Sequence, residues 1–163
     1  GLMIAASRYG GPSWLFPAGT ALAIAFFLRG WSRGGLLILV TMAGAGLLNT
    51  LLKQSFARPR PAAFFDYATP LSHSFPSGHA FFAASFFGGL AVLLTDRIQS
   101  RALQVAVWVV ALGLILLVGF SRVYLGVHYP SDVLAGYSAA VVWVAAVAVG
   151  DRLVVHHRRR RLL

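Results

Sequence analysis

The sequence predicts an all-α protein, a polytopic membrane bundle of about five transmembrane helices forming one domain over residues 1–163. Two observations predict it. Charged residues make up 11% of the chain and hydrophobic residues 58%, whereas soluble domains carry roughly 25% charged residues. The few charges are also segregated, which leaves five uncharged apolar runs at Trp14–Leu28, Gly35–Leu52, Ala80–Thr95, Leu103–Phe120 and Val133–Gly150. Eighteen helical residues rise about 27 Å, close to the roughly 30 Å of hydrocarbon in a bilayer. Buried helices of a soluble protein would need a polar face to show water, and these runs have little.

In the first run Pro17 is expected to kink the helix or mark its early turn. Gly44 and Gly46 in the second run and Gly88 and Gly89 in the third suit close helix contacts in lipid. Asn49 is expected to make an interhelical hydrogen bond. Between the runs, Arg29, Arg33, Arg97, Arg101, Arg152 and Arg158–Arg161 fall on one side if all five runs span. Arg8, Lys53, Arg58, Arg60 and Arg122 fall on the other. The excess of the first set places it in the cytoplasm. Five spans put the N-terminus outside, and the abrupt Gly-Leu-Met start has no signal peptide, so a preceding helix is expected to have been removed or supplied otherwise. The net charge of +10 would fit a nucleic-acid partner, but basic residues set between apolar runs fit membrane topology and an anionic substrate better. There is no cysteine, which excludes disulfides and thiolate chemistry.

Three clusters fall at the outer ends of the runs. They are Lys53-Gln54-Ser55-Phe56-Ala57-Arg58-Pro59-Arg60-Pro61, Phe75-Pro76-Ser77-Gly78-His79, and Ser121-Arg122 through His128-Tyr129-Pro130-Ser131-Asp132. Topology brings them to one face. Phosphoryl transfer spreads negative charge over equatorial oxygens, so fixed cations and positioning supply most of its catalysis. Arg60 and Arg122 offer planar forks and Lys53 a point charge. Ser77 and Gly78 begin a helix whose free N–H groups favour an anion. His128 has Asp132 four residues on to hold one ring nitrogen, leaving the other to attack, and His79 is then the general acid.

Each residue has a plainer reading when taken alone. Asp132 could be a first-turn acid, Ser77 an N-cap, His79 or His128 an interfacial structural histidine, and Lys53 and Arg60 snorkelling anchors. A zinc site of His73, His79 and His128 lacks a helical His pair or cysteines. The conjunction on one membrane face is what argues for chemistry.

Lys-x6-Arg-Pro, Pro-Ser-Gly-His and Ser-Arg-x5-His-x3-Asp, in that order, resemble the three signature motifs of the type 2 phosphatidic acid phosphatase (PAP2) superfamily, membrane branch. The Val123–His128 stretch looks most like bacterial members such as the phosphatidylglycerophosphate and undecaprenyl-pyrophosphate phosphatases. The resemblance implies His128 as nucleophile, Asp132 as its partner and His79 as leaving-group acid. It implies phosphate binding by Lys53, Arg60, Ser77, Gly78 and Arg122, at an interfacial active-site loop. It further implies no metal and no cofactor. Membrane members usually have six spans, so the family's first helix is expected to be missing. Soluble acid phosphatases and vanadium haloperoxidases share the signature, but the apolar runs argue against both.

The expected function is hydrolysis of a lipid phosphomonoester or pyrophosphate (undecaprenyl pyrophosphate, phosphatidylglycerophosphate or phosphatidic acid). The expected place is the outer face of a bacterial cytoplasmic membrane. The partners are then the lipid phosphate and membrane lipids, with no nucleic acid. A lipid phosphotransferase using the same site, or an inactive membrane scaffold, are the alternatives. Phe64, Phe65, Asp66, Tyr67 and His73 are expected to shape the entrance.

Overall fold

Pro12 sits at the first position of a helix, where its missing N–H leaves no bond unmade. It opens the first long element of a computed structural model that describes residues 1–62, 68 and 70–160. A short helix α1 (Leu2–Tyr9) precedes it, and the chain turns at Gly10 and Gly11 into α2 (Pro12–Leu28). Then follow α3 (Ser32–Phe56), α4 (Gly78–Ala83), a π-helical turn (Ala84–Gly88), α5 (Gly89–Thr95), α6 (Arg101–Tyr124) and α7 (Pro130–Arg160). No strand occurs among the described residues.

Four stretches, Ser32–Phe56, Gly78–Thr95, Arg101–Tyr124 and Pro130–His157, are long and apolar enough to cross a bilayer. The expected first span is the exception. At 17 residues α2 falls just short by itself, and it makes a fifth span when joined to α1 across a bend of 53°. That bend falls at Gly10 and Gly11, while Pro17 lies inside α2. The helices outrun the apolar runs because straight-chain polar residues at their ends are good helix formers and reach water. Thus α3 takes in Lys53 and Gln54, and α7 takes in Arg152.

The stretch Gly78–Thr95 is the central element. Of its 18 residues 56% are buried, against 17–28% in the most apolar 18 residues of the other three spans. Phe81, Phe82 and Phe86 pack there against Leu15, Met42, Ile115 and Val118 from α2, α3 and α6. Small residues set the helix spacing. A Cβ on Gly44 would lie 2.0 Å from the Trp143 ring, one on Gly46 3.1 Å from Phe16, and one on Gly89 3.3 Å from Thr41. Gly88 departs from expectation: it is buried, yet a Cβ there would meet nothing within 4 Å. At the end away from the three motif clusters, Arg33 forms a two-point ion pair with Asp151, joining α3 to α7.

Gly136 is the close contact that bears on the site. A Cβ there would lie 2.7 Å from the Ser77 carbonyl oxygen and 3.1 Å from the Ala80 Cβ. Helix propensity favours Gly→Ala by about 1 kcal/mol, but overpacking against backbone costs about 1–3 kcal/mol. Gly136→Ala is therefore expected to lower the thermal midpoint in detergent. Gly113→Ala, where nothing lies within 4 Å, should hold or raise it. Equal midpoints for the two variants would contradict this packing.

Candidate active site

The last turn of α3 carries Lys53, and the helix ends at Ala57 in the left-handed region (φ 42°, ψ 32°). That conformation costs a non-glycine residue about 1–2 kcal/mol and reverses the chain, so Arg58 and Arg60 return over the helix ends. Arg60 is held at several points. Its Nε donates to the Ser72 carbonyl (2.8 Å) and its Nη2 to Ser72 Oγ (3.1 Å) and the His73 carbonyl (3.3 Å). Its Nη1 donates to the Val127 carbonyl (2.9 Å) and lies 2.9 Å from His128 Nε2. Lys53 Nζ donates to the His73 carbonyl.

Arg122 sits in the last turn of α6, 1% exposed, and donates through Nη1 to Ser7 Oγ of α1. Beyond it Gly126, at φ +71°, lets the chain fold back so that the Val127 N–H reaches the Arg122 carbonyl (3.2 Å). His128 follows, and Pro130 starts α7, with Asp132 in its first turn.

Asp132 is fully buried. Its Oδ2 accepts from the Tyr129 N–H (3.0 Å) and from Ser74 Oγ, and lies 3.3 Å from His128 Nδ1. Its Oδ1 accepts from Arg58 Nη1 (2.8 Å), which also reaches Ser131 Oγ (2.9 Å). The Arg58 guanidinium stacks on the Tyr129 ring at 4.2 Å. The Asp132 carbonyl accepts the Ser77 N–H (2.9 Å), joining the starts of α4 and α7.

One cavity of about 490 Å³ is lined by Lys53, Arg60, Gly78, His79, Arg122 and His128. It gathers six of the eight residues expected from sequence. Asp132 stands behind His128. Ser77 is buried next to Gly78, and its hydroxyl makes neither a helix-capping bond nor any other hydrogen bond among the described residues.

Residues 34–153 match the family model described as the PAP2 superfamily. The chain belongs to the PAP2 superfamily. Phosphatidylglycerophosphatase B of Bacillus subtilis is 33% identical over 164 residues, covering 98% of this chain and 78% of its own length. Undecaprenyl-diphosphatase of Sulfolobus acidocaldarius is 32% identical over 156 residues, covering 91% and 68%. The crystal structure of a transmembrane PAP2 type phosphatidylglycerolphosphate phosphatase from Bacillus subtilis superposes with a TM-score of 0.82 at 35% identity, covering 92% of this chain and 75% of that one.

The PAP2 site fixes a tautomer. Arginine has no acceptor, so the Arg60 contact requires Nε2 of His128 to present its lone pair. The ring proton is then on Nδ1, facing Asp132 Oδ2. Burial, then Arg60, Arg122 and Lys53, hold the His128 pKa far below its ordinary 6.5. The imidazole is neutral at neutral pH. This has a cost in acid. An unfolded histidine protonates near pH 6.5, so below that pH the unfolded chain binds the extra proton and stability falls. From pH 7 to 5 the loss reaches about 2 kcal/mol. A thermal-midpoint series should fall more steeply for wild type than for His128→Gln. Parallel slopes would contradict it.

Several PAP2-site residues escaped the sequence. Arg58, Ser74 and Ser7 bond the expected set directly. Arg58 had a signal in Arg58-Pro59-Arg60-Pro61, but Ser74 and Ser7 had none. Asn49 departs from expectation: it lines the cavity against Gly78, and its Oδ1 makes no hydrogen bond among the described residues. Its helix position, one turn before Lys53, turns it toward the site. His73 contributes its carbonyl. Phe64, Phe65, Asp66 and Tyr67 lie outside the described residues. Among the described residues no group of three or more His, Asp or Glu is placed to hold a metal.

Proposed function

We propose that this chain is a lipid phosphate phosphatase working through a phosphohistidine at Nε2 of His128. The observation that carries it is the orientation of one imidazole. Its Nδ1 faces a buried carboxylate and its Nε2 faces the cavity, 2.9 Å from an arginine that would bind the phosphate.

In the first step Nε2 attacks phosphorus, the bond to the leaving oxygen breaks, and His79 gives that oxygen a proton. In the second, His79 takes a proton from water, the water oxygen attacks phosphorus, and the P–N bond breaks. Inorganic phosphate leaves and His128 is neutral again. Asp132 keeps the Nδ1 proton and stabilises the charge on the ring when the P–N bond forms. Lys53, Arg60 and Arg122 offset charge on the three phosphoryl oxygens, and Ser77 and the Gly78 N–H complete the cradle. The cations supply the charge stabilisation that a metal provides elsewhere.

The substrate is a lipid phosphomonoester or pyrophosphate. Phosphatidylglycerophosphate, undecaprenyl pyrophosphate and phosphatidic acid are the candidates, the first two supported by the names of the matched relatives. The lipid chain stays in the bilayer while the phosphate enters the cavity. The excess of arginines at the end away from the site supports a bacterial inner membrane with the site facing outward.

Phosphate release by the purified chain in mixed micelles, from these three lipids and lipid A, tests the activity. Acid-labile, alkali-stable label retained on the protein after quenching with radiolabelled substrate tests the intermediate. Release without any such label during rapid turnover would sink the covalent step. No release from any of the lipids would sink the function.

A further inference from the structure

We infer that the bend between α1 and α2 is a working part of the site, and that Ser7 is a positioning residue for Arg122. The inference rests on the proposed phosphate-binding role of Arg122. The family match begins at residue 34, so neither α1 nor any of the three motifs assigns this bend a role.

The burial pattern of α1 is that of a helix in lipid, with apolar side chains outward and the polar one turned into the protein. Its buried residue is Ser7, at 0% exposure, while Leu2 and Ile4 are 66% and 50% exposed. What Ser7 covers is the Arg122 guanidinium, whose Nη1 it accepts. The two residues following α1 press on the same site. A Cβ on Gly10 would lie 2.2 Å from Val118, one turn before Arg122 on α6, and a Cβ on Gly11 would lie 2.7 Å from Nε2 of His79. The bend thus holds one cation and leaves clearance for the second imidazole.

The chemistry of the acceptor matters. Arg58 is held by a carboxylate, which matches its charge. Arg122 donates at Nη1 to a hydroxyl, which fixes the direction of the fork toward the cavity it lines. A serine is the smallest side chain that can do this at a fully buried position.

The test uses the full chain in micelles with two readouts, lipid-phosphate kinetics and thermal protection by orthovanadate. The second does not require turnover. In Ser7→Ala, KM and the vanadate dissociation constant should both rise about tenfold, the scale of one hydrogen bond to a charged group. Because Ser7 acts through Arg122, adding Ser7→Ala to Arg122→Lys should cost little more than Arg122→Lys alone. Ser7→Cys, which is slightly larger and offers a weaker acceptor, should shift both constants in the same direction by less, and it serves if Ser7→Ala does not fold. Unchanged vanadate protection in both Ser7 variants would overturn the inference, as would full additivity with Arg122→Lys. Wild-type protein that neither hydrolyses lipid phosphates nor binds vanadate would instead overturn the proposed function.

Discussion

His128→Ala is expected to lose at least about 10⁴-fold in turnover of every lipid phosphate that the wild type hydrolyses, the scale on which removal of a covalent nucleophile is felt in other hydrolases. Binding should survive far better. Lys53 and Arg60 are held by the His73 and Ser72 carbonyls, and Arg122 by Ser7, so none of the three cations depends on the imidazole for its place. Asp132 keeps Arg58, Ser74 and the Tyr129 N–H, so the truncation leaves no uncompensated carboxylate and the chain should fold. The signature is a collapsed kcat beside retained vanadate protection, and no acid-labile label on the protein. Single-turnover phosphate release in mixed micelles measures the first. A variant within about tenfold of wild type would mean that another group, or water directly, attacks phosphorus.

The fold and most of the cavity were legible in the sequence because each rests on a strong local signal. Uncharged runs of bilayer length can hardly be anything but spans, and Gly126, Pro130 and Asp132 mark a turn and a helix start by residue type. Lys53, Arg60, Gly78, His79, Arg122 and His128 all line one cavity because their runs end on the same face, which follows from counting spans. What the sequence hid is what depends on side-chain packing in three dimensions. Ser74 and Ser7 are small residues without flanking pattern, and each matters through side-chain hydrogen bonds to partners 58 or 115 residues away. Asn49 read as a structural amide because its helix direction relative to Gly78 is set by how α3 meets α4. Gly88 looked like its neighbour Gly89 in composition; it is buried, yet a Cβ there would meet nothing within 4 Å, and neither this nor the π-helical turn left a mark in the sequence.

Asp132→Asn is expected to lower kcat by roughly 10³–10⁴-fold, although it preserves volume and shape. The carboxylate accepts on both oxygens: Arg58 at Oδ1, and Ser74, the Tyr129 N–H and the Nδ1 proton of His128 at Oδ2. An amide can accept on one side alone. If its NH2 faces Arg58, two donors meet in a buried setting, at a cost of about 1–3 kcal/mol, and the carboxylate charge that offsets the ring after attack is gone. If the NH2 faces His128 instead, it opposes the Tyr129 N–H and turns Nδ1 into an acceptor. The ring proton then moves to Nε2, where it points at the Arg60 donor 2.9 Å away, and the attacking lone pair is lost. Both orientations remove catalysis while the cavity cations stay in place, so kcat should fall far more than KM rises. Nitrogen-15 spectra of labelled histidine at pH 7 report the tautomer directly: wild type should show an unprotonated Nε2. Asp132→Asn should either exchange the two ring-nitrogen signals or show a lower thermal midpoint with the tautomer kept. An Asp132→Asn protein with kcat within about threefold of wild type would show that the carboxylate neither orients nor charges the imidazole, and the proposed attack from Nε2 would lose its basis.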